Sequence, residues 1–180
     1  MNVILKTERL TLRPVTIDDT EAIHQLHSIE EVDQYNTLGI PENIDVTILH
    51  VKDLVKSNQG ENPRSYTFVM EMIEGNHFVG LIAINLGKPK YRNAEIWFKL
   101  HPDFWNKGIA TEALREIISF GFNTLNLHRI EAGCAVDNIG SYKVLEKVGM
   151  IREAHTRQLL PLKSGWADNY GYAILSTDIR

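Results

Sequence analysis

The sequence is poor in features that would assign it to a specialised class of protein. Its single cysteine, Cys134, cannot form an internal disulfide. No apolar run approaches the roughly 18 to 20 residues that a membrane-spanning helix needs. The opening residues, MNVILKTERL, have no cationic segment followed by an apolar stretch of signal-peptide length. We therefore expect a cytoplasmic protein with no membrane partner.

Basic residues and clustered metal ligands are scarce as well. The chain has 19 basic and 23 acidic residues, a net charge of −4, and no basic stripe that would hold a phosphate backbone. Nucleic acid is therefore not expected as the main partner. The seven histidines include one close pair, His24 and His27, with no Cys or Asp set nearby at zinc spacing. We predict no metal site.

The composition that remains is that of an ordinary globular protein. Hydrophobic residues make up 43% and charged residues 23% of the 180 residues, unlike the composition of disordered chains. A chain of this length buries about 70% of the surface that its unfolded form exposes, so it can fold without a disulfide or a metal. No repeat, low-complexity tract or linker interrupts the sequence. We predict one domain over residues 1–180.

Periodicity in the first half predicts alternating strands and helices. Residues Glu8 to Val15 alternate between apolar and polar, as a half-buried strand does. Thr16 is placed to cap the helix that follows. Residues 30 to 62 have the pattern of a short helix, a break and a second helix capped by Asn43. An antiparallel hairpin comes next, with predicted strands Ser65–Ile73 and Phe78–Leu86.

The second half contains the clearest helix of the chain. Its apolar residues fall on one stripe from near Lys107 to near Asn126. The other predicted elements are a strand over Ala94–Leu100, a buried strand over Arg129–Val136, a short helix over Asn138–Lys147, and a last hairpin formed by Met150–Leu160 and Asp168–Leu175.

The junction in front of the long helix has the properties of an anion site. Between His101 and Phe120 a strand ends, a small loop with Gly108 follows, and the helix begins. The first N–H groups of a helix are unpaired and carry partial positive charge, so they can hold a diphosphate that no side chain obstructs. Gly108 and Ala110 supply that clearance. A lone glycine here is also an ordinary sign of a turn, so the wider context decides.

Four segments supply that context. They are TERLTLRP from Thr7 to Pro14, AEIWFKLHPDFW from Ala94 to Trp105, WNKGIA from Trp105 to Ala110, and DNIGSYKVLEKVGM from Asp137 to Met150. In order and spacing they resemble the GCN5-related N-acetyltransferase (GNAT) superfamily, and within it the RimJ/RimL-type branch of ribosomal-protein N-terminal acetyltransferases. The resemblance extends from Thr7 to about Leu175. The family motif is Arg or Gln, two residues, Gly, one residue, then Gly or Ala, and Trp105 replaces its first residue.

The resemblance implies an α/β (α+β) fold and a coenzyme. The expected sheet is mixed and mostly antiparallel, with about seven strands, flanking helices and two splayed central parallel strands, Ala94–Leu100 and Arg129–Val136. Acetyl-coenzyme A would be the co-substrate, with its pantetheine arm between these strands and its pyrophosphate on backbone amides of the motif. The implied coenzyme-binding residues are Phe98, Lys99, Leu100, Trp105, Asn106, Lys107, Gly108, Ile109, Ala110, Thr111, Asn138 and Ser141.

The resemblance also implies two catalytic residues. Glu95 is the candidate base, because relatives often use a glutamate in this strand; a solvent-facing strand glutamate is the plain alternative. The tyrosine that many members use as general acid is replaced by Leu145. Ser141 takes a place thought to stand near the sulfur, where its hydroxyl could donate to the thiolate. Tyr142 is the alternative donor.

The acceptor is predicted to be a primary amine. The branch favours the α-amine of a protein N-terminus, and a polyamine or an antibiotic amine is the rival within the same class. A non-catalytic acyl-coenzyme A sensor is the rival of another class, since the usual tyrosine is absent. Tyr35, Trp166 and Asp168 resemble acceptor-side positions. Cys134 has the pattern of a buried thiol rather than an acyl carrier, and a homodimer is left open.

Overall fold

The computed structural model describes residues 3–59 and 63–178. The strands are β1 (Leu5–Lys6), β2 (Leu10–Pro14), β3 (Ser65–Met72), β4 (Phe78–Leu86), β5 (Asn93–Leu100), β6 (Arg129–Ala135), β7 (Ile151–Leu162) and β8 (Gly165–Leu175). The helices are α1 (Thr20–His27), α2 (Glu30–Asp33), α3 (Ile44–Ser57), α4 (Ile109–Asn123) and α5 (Ile139–Lys147). Short 3₁₀ turns precede α1, β5 and α4.

All eight strands belong to one sheet, in the order β1-β2-β3-β4-β5-β6-β8-β7. Neighbouring strands are antiparallel except β5 and β6, which are parallel and pair only from Asn93 with Arg129 to Glu95 with Glu131. Beyond that point β5 runs on to Leu100 and β6 to Ala135 without further pairing to each other. This confirms the expected mixed sheet with two splayed central strands. The strand count exceeds the expected seven because of the two-residue β1.

The sheet separates two helical layers. Side chains alternate along β5, so Ala94 and Ile96 enter the large core beneath α4, while Trp97 packs on a smaller cluster that includes Ile23 of α1 and Val51 of α3. We call these two sides the α4 face and the α3 face. Glu95 has the same parity as Trp97 and therefore lies on the α3 face.

The local predictions for the first half are confirmed with small shifts at the element ends. Asn43 caps α3, its Oδ1 accepting from the N–H groups of Asp45 (3.0 Å) and Val46 (3.3 Å). The hairpin of β3 and β4 pairs as expected, for example Phe68 with Ile82. The end of the segment predicted over residues 30 to 62 lies outside the described residues. Capping and turn chemistry are local, which is why the sequence reveals them.

The last hairpin is longer than predicted. β7 reaches Leu162 and β8 begins at Gly165, so Trp166 lies on a strand and not in the connecting loop, and Asp168 lies within β8 instead of at its first position. β7 includes Pro161, and because β7 is an edge strand the missing backbone donor is tolerated. α4 runs from Ile109 to Asn123 and is shorter than predicted at both ends; its start is set by Gly108, which has left-handed backbone. Within residues 3–59 and 63–178, no helix combines the length and apolarity needed to cross a membrane.

Several ionisable groups are buried between the α3 face and its helices. His27 and Asp33 are only 4% and 5% exposed. Burial lowers the pKa of His27 to about 3, aided by the charge of Lys99 and by His50 and His24. Burial also lowers the pKa of His50, and it lowers the pKa of Lys99 to about 8 against the opposing effect of Asp33. His27 is therefore neutral in the folded protein at physiological pH.

This burial predicts a stability that falls in acid. The pKa of His27 is lower in the folded than in the unfolded chain, so its contribution is complete above about 6.5 and is lost as pH falls from there toward about 3. We expect the free energy of unfolding in urea to fall by about 1 kcal/mol per pH unit in this window. His27→Gln should reduce that slope, leaving the part due to His50. The exposed His77 is the control, and an equal effect of His77→Gln would contradict the assignment.

Candidate active site

The start of α4 is an open set of backbone donors. The first intrahelical bond runs from the Glu112 N–H to the Gly108 carbonyl at 3.0 Å, so the amides of Ile109, Ala110 and Thr111 have no partner within the helix. Gly108 is the N-cap, with φ +76° and no side-chain capping bond. A Cβ on Gly108 would meet only Arg9 Nη2, at 3.6 Å. An anion can therefore approach these amides closely.

Asn106, Lys107 and Gly108 form the exposed loop that leads into this site. Asn106 has φ +58°, a conformation that asparagine tolerates better than most residues. Trp105 donates its indole Nε1–H to the Leu100 carbonyl at 2.9 Å. The tryptophan in the first position of the motif thus ties the loop to the end of β5, and it leaves the anion site to backbone donors.

The gap between β5 and β6 opens directly beside this loop. Phe98, Lys99 and Leu100 pair with β4 on one side, and have no pairing with β6 on the other. On β6, Cys134 borders the widening gap and is 7% exposed. An extended molecule carrying amides could lie here and complete the unpaired edge of β5.

The first turn of α5 brings Asn138 and Ser141 to the end of β6. Asn138 caps the helix, its Oδ1 accepting from the Ser141 N–H at 3.1 Å. Burial raises the pKa of the Cys134 thiol to about 11, and a hydrogen bond with Ser141 opposes this rise. The Ser141 hydroxyl therefore lies beside Cys134 at the gap, while the thiol itself is protonated and poorly nucleophilic.

Leu145 and Tyr142 are packing residues of α5. Leu145 is 1% exposed in the core beneath α4 and cannot donate a proton. The Tyr142 ring packs edge-on against Tyr170 of β8, with centroids 6.2 Å apart. These contacts turn Tyr142 toward β8, away from the position that Ser141 occupies on the helix.

Glu95 stands where the two parallel strands part. It belongs to the last pair of the β5–β6 ladder, opposite Glu131, and it is exposed on the α3 face. Glu131 is held by Arg129 at 2.9 Å and by Asn93 at 3.4 Å. Glu95, by contrast, has no hydrogen bond or ion pair with any residue in the described ranges. We call the point where β5 and β6 part the fork. The Glu95 carboxylate can therefore accept a proton from a molecule bound above it.

The acceptor-side predictions fall on different faces of the sheet. Tyr35 lies in the turn after α2, and α2 packs against α1 in the helical layer of the α3 face. The strand register puts Trp166 and Asp168 on the α4 face, which is the other side of the sheet from Glu95. Asp168 accepts from His155 Nε2 (2.7 Å) and the Gln158 N–H (2.9 Å), and these bonds lower its pKa. The structure thus brings Tyr35, and not Trp166 or Asp168, to the face of Glu95.

Sequence reasoning missed the residues that anchor the loop before α4. Arg9 and Glu112 are joined by a 2.6 Å ion pair, and Arg9 Nη1 donates to the Lys107 carbonyl at 3.0 Å. Arg9 lies in the first of the four recognised segments and Glu112 two residues after the third, yet their partnership spans a hundred positions and has no local signal. Across the described ranges, no group of three or more His, Cys, Asp or Glu side chains is arranged to hold a metal.

Comparisons with known proteins identify the family of this chain. Residues 9–151 match the family model described as an acetyltransferase (GNAT) domain. The uncharacterised N-acetyltransferase YnaD of Bacillus subtilis is 34% identical over 97% of this chain and 98% of its own length. The match with the family model covers the anion site, the fork at Glu95 and the first turn of α5.

Two more distant relatives have named acceptors. The ribosomal-protein-serine acetyltransferase of Escherichia coli is 25% identical over 93% of each chain. The spermidine N(1)-acetyltransferase of Vibrio cholerae is 26% identical over 82% of each chain. A structure of the Vibrio cholerae spermidine N-acetyltransferase with CoA and spermine has a TM-score of 0.83 over 96% of this chain and 98% of its own, at 24% identity, which shows a shared fold.

Proposed function

Because the chain belongs to the GNAT acetyltransferase family, we propose that it transfers an acetyl group from acetyl-coenzyme A to the α-amine of a protein N-terminus. The observation that carries the proposal is the free Glu95 carboxylate at the fork of two parted strands, one of which leads through a short loop to an uncapped helix start. Together these features offer a place for a thioester and a base for the attacking amine.

The donor is held mainly by backbone groups. The diphosphate is bound by the amides of residues 107–111, where no capping side chain competes. The pantetheine amides pair with the free edge of β5 at Phe98 to Leu100. Asn138 at the α5 cap forms the opposite wall. The loss of a charged residue at position 105 is offset by these donors, because hydrogen bonds to an ionised group are stronger than those between neutral groups.

The reaction proceeds by direct attack. The neutral amine attacks the thioester carbonyl carbon while Glu95, directly or through a water molecule, takes the proton that the nitrogen loses. The C–S bond then breaks and its electron pair leaves on sulfur, where the Ser141 hydroxyl donates a hydrogen bond to the thiolate. Cys134 is not needed as an acyl carrier, which its burial and raised pKa support.

The acid–base properties of the two kinds of amine favour an α-amine over a side-chain amine. A free α-amine has a pKa of about 7.7 to 8.0, whereas a lysine amine has one of about 10.4, so the former is far more often neutral at pH 7. An exposed glutamate such as Glu95 suits the easier proton transfer. The ribosomal-protein relative supports this acceptor, and the spermidine relative keeps a polyamine as the alternative.

An acceptor panel tests the proposal. Peptides with free Ser or Ala N-termini, the same peptides with blocked N-termini, spermidine, spermine and an aminoglycoside would be incubated with acetyl-coenzyme A, and products identified by mass spectrometry. We expect acetylation of free N-termini and none of blocked ones. Acetylation of spermidine alone would show that the acceptor is a polyamine and not a protein N-terminus. Coenzyme binding without any product would favour a non-catalytic sensor and overturn the proposal.

Ser141 should be needed for departure of the thiolate. We expect Ser141→Ala to lower kcat about 10-fold, the size of effect of one hydrogen bond to a charged group. The KM for acetyl-coenzyme A should change little, because the Ser141 N–H still bonds to Asn138. Tyr142→Phe is the matched control, since it removes a hydroxyl and keeps the ring contact with Tyr170. Full turnover of Ser141→Ala, with loss in Tyr142→Phe, would reverse the assignment.

A further inference from the structure

The first turn of α4 is tied to residues near the start of the chain, 103 to 105 positions earlier. Glu112 accepts from the Arg9 N–H at 2.8 Å, from Arg9 Nε at 2.7 Å and from the Thr7 hydroxyl. Although burial raises the pKa of Glu112, these bonds leave it below the ordinary value. Glu112 is therefore ionised and holds the plane of the Arg9 guanidinium in place.

The guanidinium reaches from Glu112 to the loop that precedes α4. Arg9 Nη1 donates to the Lys107 carbonyl at 3.0 Å. In a trans peptide the C=O and the following N–H point in opposite directions. The bond therefore fixes the direction of the Gly108 N–H, which points away from Arg9.

Few other contacts fix the orientation of the Lys107–Gly108 peptide. Gly108 makes no side-chain capping bond, and both Asn106 and Gly108 have left-handed backbone. Glycine moves between backbone regions at low cost, so a peptide beside Gly108 changes orientation easily unless it is held. A donor that changes direction must be ordered when it binds an anion, and this ordering reduces affinity.

We propose that Arg9 is a positioning residue for the coenzyme, fixing the Lys107–Gly108 peptide so that the Gly108 N–H is preorganised to bind the diphosphate. The inference rests on the proposed use of acetyl-coenzyme A. Glu112 offsets the charge of Arg9, so the forked geometry of the guanidinium matters more than its charge. A lysine ammonium cannot bind Glu112 and the Lys107 carbonyl in the planar arrangement that a guanidinium provides.

The test compares coenzyme binding with catalysis in Arg9→Met. We expect the Kd for coenzyme A, measured by calorimetry, and the KM for acetyl-coenzyme A to rise about 10-fold. The kcat at saturating acetyl-coenzyme A should stay close to that of the unaltered protein. With S-acetylpantetheine, which lacks the diphosphate, kcat/KM should be the same for both proteins. Arg9→Lys should resemble Arg9→Met.

Arg13→Met is the matched control, because Arg13 lies on the same strand and binds Asp19 and Glu71 away from α4. It should alter Tm without altering coenzyme affinity. Unchanged affinity in Arg9→Met, an equal loss in Arg13→Met, or full affinity in Arg9→Lys would each overturn the role of Arg9. If Arg9→Met does not fold, Arg9→Lys provides the same comparison. An unaltered protein that binds no coenzyme A would instead overturn the proposed function.

Discussion

Gly108→Val is expected to raise the KM for acetyl-coenzyme A and the Kd for coenzyme A by about 100-fold or more. Two effects add. A β-branched residue at φ +76° is strained by about 1 to 3 kcal/mol, which shifts the loop. Its side chain also adds bulk at the residue that immediately precedes the open α4 amides, beside the Arg9 guanidinium that contacts the loop. Each amide bond to a charged group that is lost costs about 1.5 to 3 kcal/mol.

Gly39→Val is the control that separates the effect of backbone strain from the effect of blocking the α4 amides. Gly39 has nearly the same backbone, φ +80°, and a Cβ at this position would likewise have open space around it, but the residue lies between α2 and α3. We expect Gly39→Val to lower Tm by a similar amount while the Kd for coenzyme A, measured by calorimetry, stays near that of the unaltered protein. Equal loss of coenzyme affinity in both variants would show that the amides before α4 are not the diphosphate site.

Glu95→Gln is expected to have the second large effect, on kcat rather than on coenzyme affinity. A positioned general base contributes about 100-fold or more, so kcat at pH 7 should fall by about 100-fold. The amide cannot accept the proton but keeps the size of the side chain. With a peptide acceptor, the loss should persist above pH 8, because the α-amine, with a pKa of about 7.7 to 8.0, is then already neutral but its nitrogen still loses a proton as it attacks. Steady-state rates from pH 6 to 9 measure this.

Glu131→Gln provides the comparison for Glu95→Gln. Glu131 lies directly opposite Glu95 on the same face, but it is bound to Arg129 and Asn93. Its replacement should lower stability and leave the pH dependence of kcat unchanged. A Glu95→Gln protein with unaltered kcat at every pH, or a Glu131→Gln protein with the larger loss, would exclude Glu95 as the base.

The parted strands explain how donor and acceptor can meet. α4 and its open amides belong to one face of the sheet, while Glu95 is exposed on the other. A continuous ladder of hydrogen bonds would separate these faces. Because β5 and β6 stop pairing at Glu95, a thioester held from the α4 side can pass between the strands and reach an amine on the α3 side. In the proposed reaction, donor and acceptor would therefore bind on separate faces without competing for one surface.

The proposed acceptor groove lies on the α3 face, and its shape depends on how that face is built. Tyr35 shares the face of Glu95, and the layer of α1 to α3 rests on a cluster that contains Val51 and Trp97. Trp166 and Asp168 lie on the opposite face, where Asp168 supports an irregular part of β7 near Gln158. We therefore expect Tyr35 substitutions to alter acceptor KM, and Trp166 or Asp168 substitutions to act mainly on the hairpin.

The sequence by itself determined most of the local structure and the location of the coenzyme motif. Asn43 as a helix cap and Gly108 before a helix depend on chemistry within a few residues, and alternation in β5 shows which side chains share a face. Such signals need no knowledge of distant contacts. The match of four ordered segments located Glu95 and Ser141 as candidates, although it could not describe their surroundings.

Only the tertiary structure decided which of these residues meet. The contact of Arg9 with the Lys107 carbonyl, the isolation of Glu95 beside a paired Glu131, and the face on which Asp168 lies all depend on strand register and long-range packing. Hydrophobic periodicity assigns a side chain to a face, but it does not choose the partner across a sheet or a hundred positions away. The contact partners are determined only when the whole core packs, because each of these contacts exists only after several elements have docked.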